Sequence, residues 1–123
     1  MFAGRMDDAM QQAQHALELA REHQESGAQA GALRLLGELA ARHDPPEVAQ
    51  AEDYYRQAMA LAEERGMRPL IAHCHLGLGT PYAKIGRREQ ARAELSAAIE
   101  LYRTIEMTFW LPQAEAALAQ IDE

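Results

Sequence analysis

The feature that most constrains this 123-residue chain is an internal repeat with a period of about 40 residues, the range in which supersecondary units stack into arrays. Gly4-Arg5-Met6-Asp7-Asp8-Ala9 aligns without gaps over Gly86-Arg87-Arg88-Glu89-Gln90-Ala91. Each leads into an Ala-x3-apolar-x2-Ala pattern, which occurs three times, as Ala9/Ala13/Ala16, Ala51/Tyr55/Ala58 and Ala91/Leu95/Ala98. At one fixed offset beyond the last alanine of each stand Gly37, Gly79 and Ala119, the first two preceded by Leu36 and Leu78. A unit recurring at this period cannot bury its apolar face alone and must stack on its neighbours.

The repeating unit is helical. Alanine is abundant while Val, Ile, Phe and Trp are scarce, so the apolar content sits in helix formers with little strand preference. Apolar residues alternate three and four apart at Val48, Ala51, Tyr55, Ala58 and Ala62, and at Ala91, Leu95, Ala98, Tyr102 and Ile105, which keeps one stripe on one face. Small residues mark where two helices cross closely. The spacing predicts an all-α chain with helices over 5–24, 27–43, 46–65, 69–85, 87–105 and 109–122. Asp44-Pro45-Pro46-Glu47 reads as a capping box, with Asp44 accepting from free amides and Glu47 reaching back. Gly86 and Gly4 read as left-handed residues that end a preceding helix. Pro81, inside the fourth helix, deletes the bond to the carbonyl of Gly77 and predicts a kink or break near 77–81.

Leu78-Gly79-x2-Tyr82, Gly86 and Ala91-x3-Leu95-x2-Ala98 resemble the tetratricopeptide consensus, Leu-Gly-x2-Tyr followed by Ala-x3-Phe-x2-Ala. Leu36-Gly37-x2-Ala40 with Ala51-x3-Tyr55-x2-Ala58 matches more loosely. The family's first-helix Trp is replaced by Leu33 and His75, and the period is longer than the family's usual one. More narrowly, Gly66 to Gly79 and Phe109 to Glu115 look like the C-terminal repeat arrays of bacterial class III nucleotide cyclases and related signalling ATPases.

The resemblance implies a right-handed superhelical stack of antiparallel hairpins, divided into a half repeat 1–26, repeats 27–66 and 67–106, and a capping helix 107–123. It implies a non-catalytic protein-binding scaffold without a cofactor, in bacterial signalling, whose first helices line a concave surface. Groove-facing side chains are then Arg34, Glu38 and Arg42, His73, Thr80 and Lys84, and Gln113 and Gln120. Arg34 and Lys84 suit carboxylates of a bound peptide. The Lys/Asn clamp by which chaperone-binding members hold an acidic C-terminal tail does not carry over, since Glu38 stands at the Asn position and His73 at the Lys position.

Ala3 aligns with Ile85, the end of a first helix, so the opening hairpin is expected to lack one partner. Met6, Met10, Ala13 and Leu17 are then expected to face the absent helix, which gives a second reading: a self-assembling module that oligomerises through its N-terminal helix. The competing reading packs these residues on helix 27–43. At the other end Gln113, Glu115, Gln120, Asp122 and Glu123 decorate a stripe of Ala114, Ala117, Leu118 and Ile121, which reads as a solvating cap. Phe109 and Trp110 are expected to anchor it by core packing.

Other chemistries find little support. A formal charge of −7, with 12 basic residues dispersed among 19 acids, argues against a phosphate-tracking surface and hence against nucleic acid. No run of about 20 apolar residues is present to span a bilayer, and the first residues lack a signal-peptide core. With a single Cys74 this makes the cytoplasm the default expectation. His73-Cys74-His75 has metal-ligand residue types, but on a regular helix His73 and His75 point about 200° apart, so His75 is read as a partly buried imidazole with a hydrogen-bond partner. His15 and His23 are a weaker pair. Gly77 and Gly79 lack the strand and the Lys-Ser/Thr of a phosphate loop. Glu52/Arg56 reads as helix-surface support.

Overall fold

The computed structural model describes residues 2–43 and 45–122, with side chains for 5–43 and 45–121. These residues form six helices: α1 (Phe2–Glu22), α2 (Ser26–Arg42), α3 (Val48–Arg65), α4 (Arg68–Lys84), α5 (Arg88–Thr104) and α6 (Leu111–Asp122). The fold is all-α, as the periodicity requires.

Four of the five links share one device. Gln24, Gly66, Gly86 and Glu106 all take positive φ, between 55° and 82°. After each, the next amide returns to a carbonyl five residues back: Glu25 to Ala20, Met67 to Ala62, Arg87 to Tyr82 and Met107 to Tyr102, all at 2.8–2.9 Å. This is the Schellman closure, which satisfies the last carbonyls and turns the chain sharply. Gly86 behaves as expected. Gly4 does not, because it lies inside α1 and ends nothing.

The α2–α3 link is built differently. Glu47, not Asp44, is the N-cap of α3, and its side chain makes no capping bond. Its carboxylate lies 3.6 Å from His43 Nε2, and its amide donates to the carbonyl of Ala40 at 3.0 Å. The capping box is therefore corrected on the Glu47 side, while Asp44 falls outside the described residues. α3 begins two residues later than expected because the Pro45-Pro46 segment is spent on the turn.

Short links force neighbouring helices to run antiparallel, and the helices sort into two rows. α2 contacts α4, and α4 contacts α6, whereas the backbones of α1, α3 and α5 do not approach one another. Helices crowded on one side and spread on the other curve the stack, with α2, α4 and α6 on the inner side. Within the hairpins the small residues do what the repeat predicts. A Cβ on Gly37 would lie 3.0 Å from the Tyr55 ring, and one on Gly79 would lie 2.6 Å from Leu95. Close approach is thus built into the glycine positions.

One apolar cluster runs through the stack, from Ala13 and Leu17 of α1 through Leu33, Leu36, Tyr55, Leu78 and Tyr82 to Leu95 and Ile121. A smaller one joins Ala72, Ala98, Ile99, Tyr102 and Ala114. The first cluster overturns part of the self-association set: Ala13 and Leu17 are buried within this chain, and Met10 packs at the cluster edge. Met6 stays partly exposed. The stripe belongs to α2.

The expected break at Pro81 is absent, and the expected anchor at Phe109 is not found. α4 runs unbroken through Pro81. Cys74, Leu78, Gly79, Pro81 and Tyr82 are all buried, so packing on both sides of the inner row holds the helix across the missing bond. Phe109 does not anchor α6. It lies ahead of the helix and is 82% exposed, while Trp110 packs on the smaller cluster.

Candidate concave cleft

The inner helices enclose a cleft of about 600 Å³, lined from α2 by Arg34, Glu38, Ala41 and Arg42, from α4 by His73, Leu76, Gly77, Thr80 and Lys84, and from the α6 side by Trp110, Gln113 and Ala117. Seven of the eight residues expected to face a partner converge here. Gln120 does not; it is exposed on α6 outside the lining.

Periodicity explains the convergence. Glu38 and Thr80 occupy equivalent repeat positions, as do Arg42 and Lys84, so two helices present the same face to one space. Arg34, Arg42 and Lys84 bring three cations against the single carboxylate of Glu38. That carboxylate holds Arg42 at 2.8 Å and Arg34 at 3.6 Å. Lys84 makes no ion pair among the described residues. The cleft is positive on a chain that carries −7 overall.

Its other end is aromatic and neutral. His73 Nδ1 lies 2.7 Å from the hydroxyl of buried Tyr102, and the imidazole meets Trp110 edge-on at 5.0 Å between ring centres. Burial, and then the nearby positive charge of Arg34, push the His73 pKa below 6.5, leaving the ring uncharged at neutral pH. Burial likewise pushes the Tyr102 hydroxyl up to about 12.

The floor was not foreseen. Tyr55 belongs to the outer helix α3 and is only 2% exposed, yet it lines the cleft. Gly77 lets it through: a Cβ there would sit 2.3 Å from the Tyr55 hydroxyl oxygen. That hydroxyl makes no hydrogen bond to another described residue. The legible signal was Gly77 itself, a glycine that the repeat does not call for, since its equivalents are Leu35 and Ala117.

On the opposite side of α4, His75 turns outwards. Its Nδ1 lies 2.5 Å from Glu94 of α5, whose other oxygen takes Arg56 of α3 at 2.9 Å. Burial raises the Glu94 pKa, but the His75 and Arg56 contacts outweigh it and hold the carboxyl below its usual range. Glu52 accepts from the hydroxyl of Tyr82. Glu52 and Arg56 therefore bridge different helices instead of bracing α3. His73 and His75 point to opposite faces, and among the described residues no group of three or more metal-binding side chains assembles. No described helix is long and apolar enough to cross a membrane.

Set against known proteins, the chain matches no family model and no curated protein.

Proposed function

We propose that the chain is a non-catalytic scaffold of the tetratricopeptide type that binds a protein segment along its concave cleft. The observation that supports this reading is the convergence of side chains from three inner helices on one positive cleft of an acidic protein. Field complementarity of this kind steers an oppositely charged partner and fixes its register.

The partner chemistry follows from the lining. Arg34 and Lys84 receive carboxylate side chains of the segment, with Arg34 giving the more directional contact. Trp110, Leu76 and Ala117 take an apolar side chain beside the neutral His73. The Tyr55 hydroxyl is left for a backbone or side-chain acceptor. Glu38, between two arginines, opposes a terminal-carboxylate clamp, so the segment is read internally and not by its C-terminus. A role in bacterial signalling rests on the resemblance of Gly66–Gly79 and Phe109–Glu115 alone.

Selection of binders from a random peptide library tests this. Enriched peptides should carry an internal acidic residue spaced from an apolar one, and should lose at least tenfold in affinity on combined Arg34→Ala and Lys84→Ala substitution. Binders indifferent to that pair, or none at all, would overturn the reading.

A further inference from the structure

Among the described residues Tyr55, Tyr82 and Tyr102 are buried, and two of them use their hydroxyls inside the protein. Tyr82 donates to Glu52, and Tyr102 meets His73 Nδ1. Tyr55 makes no hydrogen bond to another described residue. No fully enclosed side-chain nitrogen or oxygen among those residues lacks a partner, so the 2% exposure left to Tyr55 includes its hydroxyl. That hydroxyl opens on the concave cleft, which Tyr55 lines from the outer row.

Hairpin packing does not require a polar atom there. In the next repeat Leu95 fills the equivalent position, against Gly79. Tyrosine in its place needs a second departure from the repeat, because a Cβ on residue 77 would lie 2.3 Å from the hydroxyl oxygen, and the equivalents of Gly77 are Leu35 and Ala117. Glycine weakens a helix interior, and a buried hydroxyl without a partner is costly. Nothing among the described residues offsets either cost. Together the two residues set one polar atom in a recess at the floor of the cleft.

The surroundings define what that atom receives. Burial, and then the charge of Glu38, push the Tyr55 hydroxyl above its usual range against the opposing effect of Arg34 and Arg42, so it stays protonated and donates. Arg34 brings further donors. Its Nη1 lies 3.6 Å from Glu38, whereas Arg42 holds the other oxygen of that carboxylate at 2.8 Å. Arg42 therefore offsets Glu38, and the fork of Arg34 keeps N–H groups for another acceptor. A hydroxyl and a guanidinium that both donate, within a positive cleft, suit a carboxylate. A doubly charged phosphoryl group would meet stronger repulsion from Glu38. Leu76 and Ala117, beside Gly77, offer apolar walls to a methylene stem.

We propose that the recess over Gly77 is the pocket for a glutamate side chain of the bound segment, its carboxylate accepting from the Tyr55 hydroxyl and from Arg34. The proposal rests on the peptide-binding reading above and adds which acidic residue is read and which group selects it. Length decides between the acids. The hydroxyl lies beside the α4 backbone, beneath the layer of lining side chains, so a segment resting on that layer must reach down to it. Aspartate, one methylene shorter, leaves its carboxyl at the rim. Glutamine has the length but turns an amide NH2 towards groups that only donate.

A peptide selected from the random library, resynthesised with Glu, Asp or Gln at its internal acidic position, tests this on the full chain. The Glu form should bind at least fivefold tighter than the other two. Tyr55→Phe removes a hydroxyl without a protein partner and should keep the parent's Tm. It should weaken the Glu form about tenfold, the effect of one hydrogen bond to a charged group, and leave the Asp form unchanged, so that the preference disappears. A peptide that needs Arg34 and Lys84 but takes Asp as well as Glu, or keeps its preference for Glu in Tyr55→Phe, overturns this inference alone. Absence of any peptide that depends on Arg34 and Lys84 overturns the peptide-binding reading and this inference with it.

Discussion

His75 of α4 and Glu94 of α5 lie 2.5 Å apart, with Arg56 of α3 closing on the other carboxylate oxygen, so a single acid ties three helices of two hairpins together. Glu94 is 9% exposed. Deleting one partner of such a group leaves the others desolvated and unmatched.

Glu94→Ala should therefore destabilise the fold by about 2 kcal/mol, lowering Tm by roughly 5–10 °C for a chain of this size. Arg56→Ala, at a half-exposed site, should cost less than about 1 kcal/mol. Because the folded pKa of Glu94 is depressed, its contribution is present above the unfolded value of 4.5 and fades as pH falls through the folded value. Urea titrations from pH 6 to pH 3 should show a steeper loss for the parent than for Glu94→Gln.

His73 gives a second pH window. Its folded pKa lies below 6.5, so the unfolded chain takes up the proton first and stability falls as pH drops below 6.5. Proton NMR should place the His73 midpoint under 6.5, and Tyr102→Phe, which removes the hydroxyl at 2.7 Å, should move it. A His73 midpoint above 6.5 would contradict the burial assigned to this ring.

Gly77 and Tyr55 should be strongly coupled. An alanine at 77 gains helix propensity of about 1 kcal/mol, but its Cβ would lie 2.3 Å from the rigid tyrosine end, and overpacking of this kind costs about 1–3 kcal/mol. Gly77→Ala should be net destabilising in the parent and stabilising in a Tyr55→Leu background, which copies Leu95 at the equivalent position. A double-mutant cycle in urea measures the difference.

Pro81→Ala should stabilise the protein. Restoring the amide to α4 relieves about 3 kcal/mol of helix cost, against roughly 1 kcal/mol of lost ring burial. A net gain on the order of 1–2 kcal/mol should appear as a higher Tm.

Cys74 should be inert in the folded state. It is fully buried in the first cluster, and burial pushes its thiol up to about 12. Labelling with a thiol reagent should proceed only as fast as the protein unfolds, and urea should accelerate it.

The helices and their hairpin pairing were legible because the helical period and the longer hairpin repeat both survive in the order of residues alone. The inner face was legible for the same reason: Arg34, Glu38, Arg42, His73, Thr80, Lys84 and Gln113 share the cleft. Tyr55 was not, since its reach into that cleft depends on Gly77 in another hairpin. Periodicity gives the apolar stripe of α1 but not the neighbour that covers it, so the sequence leaves Ala13 and Leu17 open between an absent partner and helix 27–43, and burial in the cluster with α2 decides for the second. Phe109, an apolar residue left outside, and Pro81, a helix breaker held inside an unbroken helix, depend on the same tertiary packing.

The sequence by itself thus determined the six helices, their pairing into hairpins and the side each presents to the concave surface, because these are local and periodic properties. Only the tertiary structure decided which helix covers which stripe, where an outer tyrosine enters the cleft, and that Glu94 draws Arg56 and His75 onto one carboxylate. Those outcomes depend on burial summed over several helices, a quantity that no window of the sequence contains.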